Sequence, residues 1–209
     1  MAAIFSKLDA VNRILRAGGE HPVSALSSTS GDALLAEQML NEQNWEYQMV
    51  GLVCNTEVQD LELNSDNEIE LPDNLLHIEL RNTTKMTFPR GHEPVKLYNA
   101  TDQTYDFSEF PDTPLTAVMV LGVDFEDLPF PIKLAICDEA ARRYQMFNVG
   151  DQSMDGLLRE IWIQSRLKAR ATDIRQRQMN LFRNIASSLP YEAAKQTRRR
   201  GWGSSGRFQ

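Results

Sequence analysis

Hydrophobic and polar positions divide the chain into a helical beginning, an alternating middle and a helical end. Leu8, Val11, Ile14 and Leu15 recur at helical spacing after Ser6, a residue type that caps helices, so a first helix is predicted to start there. Gly18-Gly19 admits a left-handed backbone and Pro22 forbids continuation, which ends it; Val23 and Leu26 pack the connection. A second helix is predicted from the Ser30-Gly31-Asp32 cluster to Gly51. Its stripe is Ala36, Leu40, Tyr47 and Val50, with Met39 beside it. Leu52-Val53-Cys54-Asn55 reads as strand.

Beyond that point the period becomes that of strands. Val58, Leu61 and Leu63, then Leu76, Ile78 and Leu80, then Val95, Leu97 and Tyr98 form short runs. Asn64-Ser65-Asp66-Asn67, Pro72-Asp73-Asn74 and Asn82-Thr83-Thr84 supply turns between them. Leu115 to Val123 is the strongest strand, approached through Pro111 and Pro114. Helical spacing returns after Asp124. Leu128-Pro129 marks the start, with Pro131 close behind; Ile132, Ile136, Ala140, Tyr144 and Phe147 share a face, and Gly150 ends it. A final helix is predicted from Asp151 to Ser153 onward, with Met154, Leu157, Leu158, Ile161 and Leu167 apolar. Its basic far end, Lys168 to Arg177, is expected to project beyond the rest.

Two helix pairs at opposite ends of a chain bury their stripes only by packing together. The predicted fold is therefore α+β. A four-helix bundle of the N- and C-terminal pairs (1–51 and 126–180) is interrupted by a small antiparallel β-sandwich or barrel-like insert of five or six strands (52–125). An extended, flexible basic tail (181–209) follows. The chain has 209 residues, 42% of them hydrophobic, enough for one domain or two small ones.

Charge sharpens this division. Residues 1–138 carry 8 Lys/Arg against 23 Asp/Glu, whereas residues 139–209 carry 14 against 6. Such polarity predicts two electrostatic partners, or copies of one partner meeting acidic face to basic face. In the tail, Lys195 and Arg198-Arg199-Arg200 alternate with Tyr191, Trp202 and Phe208; with Leu181 and Phe182 these form a candidate docking segment, since aromatics and arginine dominate interface energetics.

The order of several short motifs resembles the tail tubular protein A family, the adaptor or gatekeeper proteins of short-tailed (podovirus) phages. The motifs are Ala10-Val11-Asn12-Arg13-Ile14-Leu15, the Gly19 to Val23 turn, and Met39-Leu40-Asn41 through Gly51 to Asn55. Arg90-Gly91, Leu97-Tyr98-Asn99 and Phe107 follow, then Leu128-Pro129, Ala140, Arg142, Tyr144-Gln145 and Gly150. The resemblance covers roughly residues 8–182 and departs at Leu52 and Cys54, where large aromatics often stand in the family. It implies a virion structural protein beneath the portal vertex, made in the host cytoplasm. The expected assembly is a self-associated ring of twelve copies that joins the portal protein to the tail nozzle (tail tubular protein B). The ring would continue the channel for viral DNA ejection, without binding the DNA specifically, and anchor tail fibres.

Enzymatic and nucleic-acid readings are weaker. No nucleophile elbow, phosphate-binding Gly-Lys-Ser loop or Cys-x-x-Cys pair occurs, so no catalytic residue and no cofactor is assigned. A glycan or peptidoglycan hydrolase of the tail would need paired carboxylates, which here lie in turns and strand edges. His77, Glu79, His92 and Glu93 lack metal-ligand spacing and read as exposed polar residues, so no metal is assigned. The tail's cations and Trp202 could engage a nucleic acid, but the acidic first two-thirds would repel it. Cys54 and Cys137 read as small buried hydrophobes of a reducing compartment. The N-terminus lacks the apolar stretch of a signal peptide, no run reaches membrane-span length, and no lipid anchor is expected.

Overall fold

The computed structural model of the chain describes residues 5–26, 31–81, 86–91, 94–108 and 115–183, with side chains to 177. Residues 1–169 form one compact unit and residues 170–209 a second. The class is α+β, with four α-helices and two small antiparallel sheets.

Helix α1 (Lys7–Ala17) opens with a reciprocal cap: Asp9 N–H donates to the Ser6 hydroxyl, and Ser6 N–H donates to the Asp9 carboxylate. It ends at Gly18, and Gly19 takes the left-handed conformation, φ 82°. Asn12 then pins the connection by accepting from Val23 N–H and donating to Val23 C=O, at 2.8 and 3.0 Å. Helix α2 (Gly31–Gln48) buries Ala33, Ala36 and Leu40, but its lower turns bury Gln43, Asn44 and Gln48 instead of apolar groups. Val50, expected on the buried stripe, is 83% exposed, because the left-handed Gly51 turns the chain first.

The expected strand at Leu52–Asn55 is a turn. Asn55 causes this: its side chain accepts from Leu52 N–H and donates to the carbonyls of Gln48 and Leu121. Strand β1 (Thr56–Leu61) starts one residue later. It is followed by β2 (Glu70–Leu71), β3 (Leu75–Leu80), β4 (Thr87–Arg90), β5 (Val95–Asn99) and β6 (Leu115–Leu121). The sheets are ordered β1-β6-β3 and β2-β5-β4 and are antiparallel throughout. Both contribute to a single apolar core that includes Leu61, Ile69, Leu97, Phe107, Leu115 and Met119.

After a 3-10 turn at Phe125–Asp127, helix α3 (Phe130–Asn148) buries Ile132, Ile136, Ala140 and Tyr144 as the spacing predicts. Phe147, expected on that face, is 72% exposed. Contacts between α1 and α3 ascend together, from Lys7 with Glu126 through Ala10 with Cys137 to Gly18 with Tyr144. The two helices therefore run side by side in the same direction. The helical core comes from α1, α2 and α3, with Leu52, Phe125 and Leu128 closing one end.

Helix α4 (Gln152–Arg183) is the longest element, and Asp151 caps its first turn by accepting from Ser153 N–H. It adds Ala169 to the helical core. Of the five apolar positions expected on the buried side, only Leu158 is covered. Met154, Leu157, Ile161 and Leu167 are exposed, and the covered positions are Asp155, Leu158, Trp162, Ser165 and Ala169. Those five recur at intervals of three and four, so α4 does present one continuous stripe to α3, a mixed one in which Leu158 and Trp162 alternate with Asp155, Ser165 and Ala169.

Candidate interaction surfaces

The junction between helices and strands is polar and rigid. Gln48, fully buried, accepts from Val123 N–H and donates to Val123 C=O and Asn44 Oδ1, all within 3.0 Å. Asn44 also donates to Val123 C=O, and Asn55 N–H and C=O are both in backbone hydrogen bonds. This ties the end of α2 to the segment leading from β6 into α3. Beside it, Gly122 lies so close to Trp45 that a Cβ would come within 2.6 Å of the indole. Polar groups buried this completely hold one geometry because any other leaves them unpaired.

A second polar set holds α4. Asp138 on α3 is 4% exposed, pairs with the Arg13 guanidinium of α1 at 2.6 Å, and accepts from the Ser165 hydroxyl. Arg142 pairs with Asp155 at 2.7 Å and stacks over the Trp162 ring, which Arg166 approaches at 5.2 Å. These contacts, with Leu158 and Trp162 covered beside them, hold α4 against α3, while Met154, Leu157, Ile161 and Leu167 remain outward.

Between α1 and α4, above α3, runs an open groove. A cavity of about 620 Å³ takes in Arg13, Leu134, Asp138, Ile161 and Lys168. An adjoining one of about 360 Å³ takes in Arg16, Ala17, Ala141 and Leu158, with Arg13, Asp138 and Ile161 common to both. Its lining is mixed: Leu134, Leu158 and Ile161 are apolar, and Arg13, Arg16 and Lys168 stand beside Asp138 and Glu160. The strand region differs in charge: residues 52–125 hold 14 Asp/Glu against 4 Lys/Arg. Glu57, Val58, Gln59 and Asp60 of β1, an outer strand of its sheet, are all exposed, a charged edge that discourages strand-to-strand association.

Of the docking residues singled out from the sequence, Leu181 and Phe182 belong to the last turns of α4; Tyr191, Arg198, Arg199, Arg200, Trp202 and Phe208 lie outside the described residues. His21 and His77 are exposed; His92 and Glu93 lie outside the described residues. Among the described residues there is no cluster of metal-ligating side chains and no helix long and apolar enough to cross a membrane. Cys137 is buried as expected, and burial pushes its thiol up to about 12; Cys54 is exposed on the Leu52–Asn55 turn, a correction that follows from losing the strand there. The junction amides were missed. Their signal was three amide residues, Gln43, Asn44 and Gln48, on the side of α2 that periodicity assigns to the interior.

The strand region is acidic, and the helical region leaves apolar residues of α4 exposed. The chain belongs to the tail tubular protein family, whose profile, described as Tail tubular protein, matches residues 8–179. It is accordingly a structural component of a phage tail, a virion protein that assembles with other tail components. Among curated proteins, none matches the chain.

Proposed function

We propose that the chain is the adaptor, or gatekeeper, of a short-tailed phage. Twelve copies form a ring that joins the portal protein to the tail nozzle, continues the DNA channel and anchors tail fibres. The observation that carries this reading is the outer surface of α4, where Met154, Leu157, Ile161 and Leu167 are exposed on a helix held to α3 by the Ser165–Asp138 hydrogen bond and the Arg142–Asp155 ion pair. A monomer gains nothing from that arrangement, whereas an assembly uses the exposed face as an interface.

In this reading the helices of 1–51 and 126–180 act together as one helical domain, the four-helix bundle expected from the sequence. The acidic insert, 52–125, faces solvent and the passing duplex, which it repels and so lets slide. Residues 181–209 dock on the portal through Leu181, Phe182, Tyr191, Arg198, Arg199, Arg200, Trp202 and Phe208. Synthesis is in the host cytoplasm and the working location is the virion tail.

Negative-stain imaging of the protein mixed with portal rings from the same genome tests this, comparing the full chain with one ending at Asn180. A second tier on the portal with the full chain alone supports both the adaptor role and the docking tail. A tier with both chains removes the tail from the proposal. Bare portals in both mixtures overturn the adaptor reading.

A further inference from the structure

Helix α3 is covered unevenly. Against α1 and α2 it packs an apolar core; of the described residues of α4, Ala169 alone enters that core. Leu158 and Trp162 are half-buried beside α3 without joining it. The two open cavities, of about 620 and 360 Å³, run along the α4 side. Withdrawal of α4 as far as Ala169 would therefore leave the packing of α1, α2 and α3 nearly whole.

The polar contacts across the α3–α4 seam leave few groups alone when they part. Ser165 has one hydroxyl proton and two acceptors for it: Asp138 across the seam and, at 2.7 Å, the Ile161 carbonyl of its own helix. Asp138 retains the Arg13 guanidinium of α1 at 2.6 Å. Arg142 retains Glu139 on α3, and Asp155, already 22% exposed, exchanges its partner for water. Trp162 loses Arg142 from its ring but keeps Arg166. Its Nε1 is buried without a hydrogen bond while α4 is docked, and it reaches water once α4 leaves. Gln145, whose amide donates to Asp151 C=O in the α3–α4 connection, likewise has an unpaired, buried Oε1. That connection is three exposed residues, Val149, Gly150 and Asp151. Gly150 is left-handed, φ 71°, in surroundings so open that a Cβ would meet nothing closer than the Met146 carbonyl at 3.9 Å.

We infer that residues 152–169 of α4 form an arm that leaves the α1–α3 body as one piece, pivoting at Val149-Gly150-Asp151, and that it does so when the chain joins its assembly. The docked arrangement is the closed state. Opening uncovers Asp155, Leu158, Trp162 and Ser165 together with the α3 residues beneath them, surface that the closed chain keeps for itself. The coupling to assembly rests on the adaptor reading above; the arm itself does not.

Two thiol experiments on the full chain, carrying Cys54→Ser to remove the exposed thiol, test it. In the first, Ser165→Cys and Ala169→Cys, made separately, each place a probe under α4, while native Cys137, fully buried against α1, reports opening of the whole core. Labelling rates are normalised to those of the denatured chains. Both probes should react at one common rate, at least ~100-fold faster than Cys137, because a local opening is far more populated than global unfolding. Rates equal to that of Cys137 mean that α4 parts only when the whole fold does; a fast probe at 165 with a slow one at 169 means piecemeal fraying. Either result overturns the arm. In the second, Arg142→Cys with Asp155→Cys removes both partners of one ion pair, and a short bismaleimide joins the two thiols to hold α4 closed. The cross-linked protein should lose ring formation and retention on portal rings by at least ~tenfold. The same variant capped with N-ethylmaleimide should assemble like native protein. Equal assembly by both forms overturns the coupling and keeps α4 closed in the ring. Native protein that forms no ring, with or without portal, overturns the adaptor reading and the coupling with it, while the labelling rates still decide the arm.

Discussion

Single positions explain most of the short motifs by what they touch. Gly18 is the clearest: a Cβ there would meet the Tyr144 ring at 2.5 Å, and Tyr144 is fully buried, so the ring has nowhere to move. Gly18→Ala is expected to lower stability by ~1–3 kcal/mol through overpacking, measured by urea unfolding; an unchanged midpoint would mean the α1–α3 approach is looser than this geometry. Asn55 is constrained by bonding rather than by volume. Removing its amide frees Leu52 N–H and the Leu121 carbonyl at a buried junction, so Asn55→Ala should cost ~1–3 kcal/mol, with Asn55→Asp scarcely better because it cannot donate. The two cysteines should separate cleanly. Burial, which lifts the Cys137 thiol to about 12, keeps it protonated and inert, while exposed Cys54 lies within reach of reagent. A thiol titration of folded protein should count one reactive group, and two after denaturation; two in the folded state would contradict the burial of Cys137.

Elements are held together by charge as well as by apolar contact, and this sets their response to acid. Arg143 on α3 donates two hydrogen bonds, at 2.8 and 2.9 Å, to Glu46 on α2, and this holds the Glu46 carboxyl below its ordinary 4.5. The Ser6 hydroxyl does the same for Asp9 at the start of α1. A carboxylate with a depressed folded pKa stabilises the fold above its ordinary value, and that contribution is lost as pH falls through the folded value. Glu46→Gln should therefore be less stable than native protein at neutral pH by ~0.5 kcal/mol, since both partners are solvent-screened, and the difference should close in acid. Equal midpoints at every pH would remove the pair from the account. Helix starts and stops and four of the six strands, β1, β3, β5 and β6, were legible because caps, glycines and periodicity are local signals; the short β2 and β4 carry no apolar run of their own and were not. The direction in which α4 faces was not. Periodicity located an apolar stripe, Met154, Leu157, Ile161 and Leu167, but a stripe does not say whether the chain's own core or another surface covers it. Likewise Leu52–Asn55 has strand-like composition, and only the long-range bonds of Asn55 make it a turn. The tail's docking residues were readable as composition alone.

At the scale of the whole molecule the uneven charge becomes a property of assembly. Surface attraction between an acidic face and a basic one is long-ranged and screened by salt, whereas apolar burial is insensitive to it. Self-association of the proposed ring would draw on the exposed apolar residues of α4 as well as on surface charge, so raising ionic strength should weaken it without abolishing it. Attachment to the portal is expected to depend on salt more steeply, because the candidate tail concentrates Arg198, Arg199 and Arg200 within a few residues of Trp202. Replacing those three arginines with glutamate inverts the sign of that contact. On the tail-docking reading the variant should unfold at the native temperature and still self-associate, which serve as the controls. Its retention on portal rings should fall by at least ~tenfold and its salt dependence should reverse, since a repulsive term that salt screens replaces the attractive one. Co-sedimentation with portal across a salt series measures both quantities. Native retention by the variant would move the docking role from the tail to the folded unit, where the exposed residues of α4 are the next surface to test.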